Sequence, residues 1–300
     1  MDNRSSMTAL MSAFARAYHF KTEKQPVFAD SAAEKLMTME EYEGIGKYIL
    51  SGIDFFAPEQ KGKLPDSEAL GYIVNTQLAP TPLARAAFCE ESLKTAAMTG
   101  TEQYVIIGAG YDTFALREKA FVSKHPVFEA DHPLTQADKL ERIKRFGLAY
   151  NDNVKSVPVD LATEDMSEKI LAAGFDRTKK AFFSWLGVSY YLSEEEISRT
   201  LGDIAGLCSE GSSLVFDFGD EGLFDSTDRR VKNMLAMAMA AGEPMKSSFD
   251  KTSLARLLEK HGFLIYELLG PKDIEERYFG GQREAKPFPD INMVLAVYKG

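Results

Sequence analysis

The stretch that most constrains the fold of this chain is a glycine turn that directly follows a short apolar run. The run, Tyr104–Ile107, consists of β-branched and aromatic residues, as is typical of a strand buried on both faces. The turn itself is Gly108-Ala109-Gly110, and the polar residues after it are able to cap a helix. A strand, a glycine turn and a helix N-terminus bring the backbone close to a bound nucleotide, although a purely structural tight turn produces the same pattern.

The residue three positions after the second glycine narrows the class of ligand. Dinucleotide-binding turns carry a third glycine there, and this chain has Thr113. That glycine lets the helix pack closely under a pyrophosphate, so its absence favours a nucleoside ligand without a diphosphate. A nicotinamide-dependent oxidoreductase on the same kind of sheet is therefore disfavoured, but it stays open as an alternative.

Two acidic residues follow at the end of the next apolar run. Pro126–Asp131 is predicted to form a second strand, in which period-two alternation puts Glu129 and Asp131 on one face. They lie about 20 residues after the glycines, where a carboxylate at a strand end accepts hydrogen bonds from ribose hydroxyls. Two acids at a strand end can also be solvated without a role. With the glycine turn before them, they favour a ribose site.

Beyond residue 98, apolar runs alternate with helical patterns. The remaining strands are predicted at 154–159, 180–186, 212–218, 263–269 and 291–298. Because the last two strands have no helix between them, we expect them to pair antiparallel. The pattern predicts an α/β fold with one doubly wound sheet, in a single domain that covers residues 1–300.

Three further segments complete the predicted architecture. Residues 1–97 look almost wholly helical and are a candidate cap over the ligand site, which the α/β core of 98–300 would form. The mixed charges of 138–142 are typical of a solvated helix face. Residues 271–290 are polar and rich in glycine and proline, which predicts a loop insertion.

Composition argues against several classes of partner and site. The net charge of −10 over 300 residues disfavours a nucleic-acid partner, because phosphate binding needs a cationic face. Two cysteines and four scattered histidines offer neither a disulfide framework nor metal-ligand spacing, so no metal is expected. No apolar run approaches the roughly 20 residues that span a bilayer, so no membrane partner is expected. Met7–Ala15 lacks a cationic leader and is interpreted as the first helix of a cytoplasmic protein.

With these motifs, the chain resembles the S-adenosylmethionine-dependent methyltransferases that include leucine carboxyl methyltransferase and polyketide carboxyl O-methyltransferases. The similarity runs from about residue 12 to the C-terminus. Its most specific segments are Ile107–Thr113, Phe128–Pro133 and Leu186–Leu192, and Pro26–Asp30 matches an N-terminal pattern of the bacterial branch. Gly-Ala-Gly followed by an aliphatic or aromatic residue and Asp-Thr is far more specific than two glycines alone.

The resemblance implies a seven-stranded class I methyltransferase sheet with its last strand antiparallel, an N-terminal helical cap, and S-adenosylmethionine as the cofactor. It implies that Arg85 binds the carboxylate of the cofactor's methionine part, to which a guanidinium fork is suited, with an exposed helix arginine as the alternative. Asp131 would hold the ribose, with Glu129 as the next candidate. Asp160 and Leu161 would hold the adenine, Asp160 by accepting from its amino group.

One position departs from the family pattern. Many relatives carry glutamate where this chain has Leu186, near the methionine end of the cofactor, so that the polar contact must be replaced or lost here. Tyr190 and Tyr191 follow the fourth strand, near where the methyl would project, and are candidates for orienting an acceptor, although plain packing also explains them. The expected reaction is O-methylation of a carboxylate or hydroxyl of a small molecule, with no catalytic base assigned. A cofactor-binding protein without catalysis stays open.

Overall fold

The computed structural model describes residues 6–280 and 284–300, and within them the chain forms one seven-stranded sheet. The strands are β1 (Gln103–Ile107), β2 (Val127–Asp131), β3 (Val154–Pro158), β4 (Ala181–Trp185), β5 (Ser213–Gly219), β6 (Phe263–Leu269) and β7 (Ile291–Tyr298). Their spatial order is β3-β2-β1-β4-β5-β7-β6. Strands β1 to β5 run parallel, and β7 lies antiparallel to both of its neighbours.

This sheet confirms the predicted fold class, including the antiparallel last strand, and the predicted strand bounds agree with the structure to within one residue at each end. Strands β1, β4 and β5 are buried along their whole length. Central parallel strands are covered on both faces by helices, which is why their sequences are nearly continuous apolar runs. Because the order reverses between β1 and β4, the carboxyl ends of these strands border a crevice suited to a ligand.

The N-terminal helices pack on one face of the sheet. They are α1 (Met7–Thr22), α2 (Met39–Ser51), α3 (Ile53–Phe56), α4 (Asp66–Ile73) and α5 (Pro80–Met98), with a π-helical turn at Val74–Leu78 between the last two. Phe14 of α1 and Phe88 of α5 are fully buried in one apolar cluster with Tyr104 and Phe182 of the sheet. The cap and the sheet therefore share a core.

The helices after β1 cover both faces of the sheet. They are α6 (Phe114–Arg117), α7 (Lys119–Val122), α8 (Pro133–Arg145), α9 (Met166–Ala172), α10 (Glu194–Leu207), α11 (Arg229–Ala240), α12 (Lys251–Lys260) and α13 (Pro271–Ile274). Side chains from α9, α10 and α12 form a second apolar cluster on the face opposite α1 and α5. No helix among residues 6–280 and 284–300 is long and apolar enough to cross a membrane.

Two predicted segments differ from the structure. The predicted loop at 271–290 begins with helix α13 and a π-helical turn at Glu275–Phe279, because buried Tyr278 and Phe279 anchor it to the core. Residues 281–283 of that segment lie outside the described residues. The predicted solvated face of 138–142 is also wrong in part. Lys139 and Arg142 are buried, since each pairs with an acid that the local sequence does not reveal.

Candidate functional site

The glycine turn lies at the carboxyl end of β1 and needs glycine at two positions. Gly108 has φ +67° and Gly110 has φ +43°, in the left-handed region of backbone conformation that residues with a side chain rarely adopt. A β-carbon on Gly108 would overlap the side chain of Val188, which follows β4. A β-carbon on Gly110 would lie 3.1 Å from the β-carbon of Ala9 in α1. The turn is thus enclosed from two directions at close range.

The carboxylate of Asp131 is held directly beside this turn. Asp131 ends β2, and its Oδ2 accepts a hydrogen bond from the amide of Gly110 while its Oδ1 accepts from the amide of His132 at 2.6 Å. Burial raises the pKa of Asp131, and the two amide donors act against that rise. The structure therefore brings together the glycine turn and the strand-end acid that the sequence singled out.

Glu129 occupies a different environment, although it lies only two residues earlier on the same strand. Its side chain is buried, and Oε2 accepts from Nζ of Lys139 and from the hydroxyl of Tyr150, each at 2.8 Å. Burial raises the pKa of Glu129, and the ammonium of Lys139 opposes the rise. The carboxylate is thus engaged with α8 and with the chain after it.

The side chain of Arg85 reaches the same edge of the sheet from α5. Its Nη1 donates to the hydroxyl of Tyr190 at 2.9 Å and to Oδ2 of Asp217 at 3.2 Å, and its Nη2 donates to Oγ of Ser12 at 3.4 Å. The guanidinium lies against Gly187, where a β-carbon would overlap it. Only 15% of the arginine side chain is exposed, so the alternative of an exposed helix arginine is wrong.

Asp217 lies at the same edge of the sheet and is a candidate that sequence analysis missed. It lies in β5 and is fully buried, and its Oδ1 accepts from the amide of Gly187 at 2.6 Å. Its Oδ2 accepts from Arg85 and from the hydroxyl of Tyr190, each at 3.2 Å. The available signal was a single acid between Phe216 and Phe218 in an otherwise apolar strand. A lone charge in a buried strand is costly unless it is paired, and so it marks a specific contact.

The tyrosine pair after β4 adds two phenols to this edge. Tyr190 is buried and donates its hydroxyl to Asp217, while Tyr191 is partly exposed and packs edge-on against it, with ring centroids 4.9 Å apart. Burial raises the pKa of Tyr191 to about 12 and raises the pKa of Tyr190 well above its usual range. Both phenols are therefore protonated donors at neutral pH. Leu186 packs against the apolar cluster on the cap side of the sheet.

The loop after β3 is held in shape by its own hydrogen bonds and by one helix. Oδ1 of Asp160 accepts from the amide of Ala162 at 2.9 Å, and Oε2 of Glu164 accepts from the amide of Asp160 at 2.8 Å. From α10, Arg199 donates to the carbonyl oxygens of Leu161 and Ala162. Because β3 pairs with β2, Asp160 and Leu161 follow the strand adjacent to the one that carries Asp131.

The first two turns of α1 form a roof over this edge of the sheet. Besides the contact of Ala9 with Gly110, Ser12 accepts a hydrogen bond from Arg85. At the start of the helix, the hydroxyls of Ser6 and Thr8 both donate to the carboxylate of Glu243, which follows α11. The sequence predicted a cap but did not indicate which helix lies over the turn.

A buried acid of the N-terminal segment, Asp30, connects helix α1 to the residues after the glycine turn. Asp30 accepts from Nε of Arg16 at 2.8 Å and from Oγ1 of Thr113 at 2.6 Å, and it pairs with Arg117. Burial alone would raise the pKa of Asp30, but Arg16 and Arg117 outweigh it and hold that pKa below its ordinary value. Arg16 also donates to the carbonyl oxygen of Tyr111 at 2.8 Å. The side chain of Thr113 thus links the segment after the glycine turn to Asp30.

The arrangement is complementary to a nucleoside whose substituent carries charged groups. Backbone amides and a strand-end acid lie at one end of the edge, and a guanidinium beside a carboxylate lies at the other. Among the residues that the structure describes, no cluster of histidine, cysteine, aspartate and glutamate is suited to hold a metal ion.

Comparisons with known proteins agree with this geometry. Residues 9–205 match the family model described as leucine carboxyl methyltransferase. The putative S-adenosyl-L-methionine-dependent methyltransferase YktD of Bacillus subtilis (strain 168) is 40% identical over 99% of each chain. A putative S-adenosyl-L-methionine-dependent methyltransferase of Mycobacterium sp. (strain JLS) is 33% identical over 59% of this chain and 57% of its own.

Two solved structures are similar in fold. The crystal structure of a putative methyltransferase from Thermobifida fusca aligns with a TM-score of 0.55 at 13% identity, covering 99% of this chain and 96% of its own. That of a duf574 family protein from Streptomyces avermitilis aligns with a TM-score of 0.56 at 16% identity, covering 85% and 96%. At these identities the likeness concerns the fold alone, which is that of class I methyltransferases.

Proposed function

This chain belongs to the leucine carboxyl methyltransferase family and is an S-adenosylmethionine-dependent methyltransferase, and we propose that it methylates an oxygen atom, in a carboxylate or a hydroxyl, of a small molecule. Family membership sets aside the nicotinamide-dependent alternative. The observation that carries the proposal is the tyrosine pair at the end of β4, next to the edge that holds the glycine turn and Asp131. A phenol beside the reacting end is suited to hold an acceptor oxygen.

The residues of this edge fit the cofactor group by group. We propose that the backbone of Gly108-Ala109-Gly110 borders the nucleoside, since this turn follows β1 at the crevice between β1 and β4 and lies beside Asp131. Asp131 would accept from the ribose hydroxyls. The carboxylate of Glu129 is engaged by Lys139 and Tyr150, which supports Asp131 as the ribose acid and leaves Glu129 a supporting role.

At the two ends of the edge, the remaining predicted residues have matching chemistry. We propose that Asp160 and Leu161 contact the adenine from the loop after β3, whose shape Arg199 stabilises. Arg85 would bind the carboxylate of the methionine part, because its guanidinium is largely buried and lies at the end of β4. The helices of residues 1–97 would then act as a cap within the same domain, which their shared core with the sheet supports.

The reaction requires little of the protein beyond alignment of the acceptor with the methyl group. When bound, the cofactor supplies a methyl group that its sulfonium already makes electrophilic. The protein then has to hold an acceptor oxygen in line with that methyl and to exclude water. The Tyr190 hydroxyl is committed to Asp217, which leaves the partly exposed Tyr191 as the candidate to orient the acceptor. A carboxylate acceptor is ionised at neutral pH and needs no base, whereas a hydroxyl acceptor needs one.

A screen of acceptors tests the proposal. The protein is incubated with S-adenosylmethionine and matched panels of carboxylic acids, phenols, alcohols, amines and thiols, and release of S-adenosylhomocysteine is measured. We expect release with a carboxylate or hydroxyl compound, and a reduced rate for Tyr191→Phe with the same compound. Turnover with amines or thiols alone would contradict oxygen as the acceptor atom. Tight cofactor binding without turnover on any panel would contradict the proposed small-molecule acceptor.

A further inference from the structure

We infer that Asp217 is a cofactor-binding residue that receives the α-ammonium group of the methionine part, in place of the acid that many relatives carry at position 186. This inference rests on the proposed placement of the cofactor along the carboxyl edge of the sheet. Under this inference, Asp217 supplies the carboxylate that position 186 lacks in this chain.

The first step concerns where the carboxylate of Asp217 lies. In the register of the two parallel strands, Trp185 of β4 pairs with Phe216 of β5, so positions 186 and 217 follow as lateral neighbours. Lateral neighbours in a sheet direct their side chains to the same face. Leu186 packs on the cap side, and Asp217 reaches Arg85, which also comes from the cap. An acid at either position would therefore face the same region of the site.

The second step shows that Asp217 does reach the end of β4. Its Oδ1 accepts from the amide of Gly187, the residue directly after Leu186, at 2.6 Å. Its Oδ2 lies 3.2 Å from Nη1 of Arg85 and 3.2 Å from the hydroxyl of Tyr190. The acid is thus supplied from the neighbouring strand β5, and three donors hold it beside Gly187, just after the end of β4.

The third step is electrostatic. The methionine part carries a carboxylate and an ammonium on one carbon, so its receptor needs opposite charges side by side. Arg85 and Asp217 provide them in one buried pair, with side-chain exposures of 15% and 0%. Without an acid here, the ammonium would lose its water and meet no counter-charge, which is strongly unfavourable in a closed site. The pair fits a zwitterion better than it fits a carboxylate alone.

Calorimetry with three nucleosides tests the assignment in the full-length protein. S-adenosylhomocysteine carries both charged groups, its desamino analogue keeps only the carboxylate, and its decarboxylated analogue keeps only the ammonium. We expect Asp217→Asn to weaken binding of the two ammonium-bearing ligands by roughly tenfold or more, since a hydrogen bond to a charged group is lost. Binding of the desamino analogue should stay within about twofold of the parent.

A relocated acid provides the matched control. Leu186→Glu combined with Asp217→Asn should recover most of the lost affinity for S-adenosylhomocysteine, whereas Leu186→Gln combined with Asp217→Asn, which has the same size without the charge, should not. If all three ligands bind Asp217→Asn equally less well, the inference is wrong and Asp217 only supports the shape of the site. Unchanged affinity for all three ligands would also overturn it and would give Asp217 no role in binding.

If Asp217→Asn does not fold, the affinities of the parent protein for these ligands test the inference independently. The desamino analogue should then bind the parent at least roughly tenfold more weakly than S-adenosylhomocysteine, and equal affinities would overturn the inference. A parent that binds S-adenosylhomocysteine while Asp217→Asn binds it as tightly refutes this inference alone. A parent that binds none of the three ligands refutes the proposed cofactor placement as well.

Discussion

The guanidinium of Arg85 lies against the α-carbon of Gly187, so closely that a β-carbon on this glycine would overlap Nη1. Gly187 has φ +72°, and its amide donates to Asp217, the acid that also accepts from Arg85. One glycine thus lets a cap arginine and a strand acid meet at the end of β4. Because the contact depends on the missing side chain, it gives a direct test of the site.

Gly187→Ala should weaken binding of S-adenosylhomocysteine by roughly tenfold, because the new methyl displaces Arg85. The matched control is Gly147→Ala, which has φ +64° and no atom within 4 Å of an added β-carbon. Both substitutions should cost about 1–2 kcal/mol of unfolding free energy from left-handed strain. Only the first should change the affinity measured by calorimetry. Equal affinities in the two variants would remove Arg85 from the site.

Asp131→Ala should weaken S-adenosylmethionine binding by about 1–3 kcal/mol, because two ribose hydroxyls would lose their acceptor. Glu129→Gln is the comparison, since it removes the neighbouring acid from its buried pair with Lys139. We expect that variant to lose stability, by about 3–5 kcal/mol, and to keep its affinity once folded. Calorimetry and thermal unfolding on both variants separate the two roles. The opposite pattern would make Glu129 the ribose acid.

Arg85→Lys should weaken binding of S-adenosylhomocysteine and leave adenosine binding unchanged, because an ammonium cannot reproduce the planar fork. Lysine also keeps the charge beside Asp217, so loss of affinity cannot be ascribed to an unpaired acid. S-adenosylhomocysteine carries a homocysteine thioether where adenosine has its 5′-hydroxyl, and calorimetry on parent and variant compares the two ligands directly. Equal losses for both ligands would assign Arg85 to support of the cap.

Asp30→Asn should destabilise the protein by about 3–5 kcal/mol at neutral pH, because it leaves buried Arg16 without its acid and takes one acid from Arg117, which keeps Glu90. The pKa of Asp30 is lowered in the folded state, so its contribution to stability is present above the unfolded pKa of about 3.9 and is lost as pH falls through the lower folded value.

The variant should therefore show a flatter loss of stability at acid pH in denaturant titrations. Asp54→Asn, in an exposed pair with Lys61, is the control and should change stability by about 0.5 kcal/mol or less. A similar small effect of Asp30→Asn would mean that the cap is held by apolar packing alone.

Sequence alone predicted the sheet closely because central parallel strands need continuous apolar runs, and these are local signals. The positions of the glycine turn and of Asp131 at two strand ends were predicted for the same reason, since one turn and one strand end carry them. Glu129 could not be separated from Asp131 by spacing, because its partner Lys139 comes from the next helix. Asp217 was missed since its meaning depends on Arg85, which lies 132 residues earlier. Pairs that span the fold leave no periodic pattern.

The roof over the glycine turn has a consequence for how the protein is made. Ser6, which caps α1, donates to Glu243, a residue 237 positions later in the chain, so α1 gains this partner only after those residues have been synthesised. At about 5–20 residues per second, that interval is roughly 10–50 s. During it, α1 carries Phe14 and Ala17, both buried in the finished fold, with no complete sheet to cover them. Helix α1 therefore keeps apolar surface uncovered until long after its own synthesis.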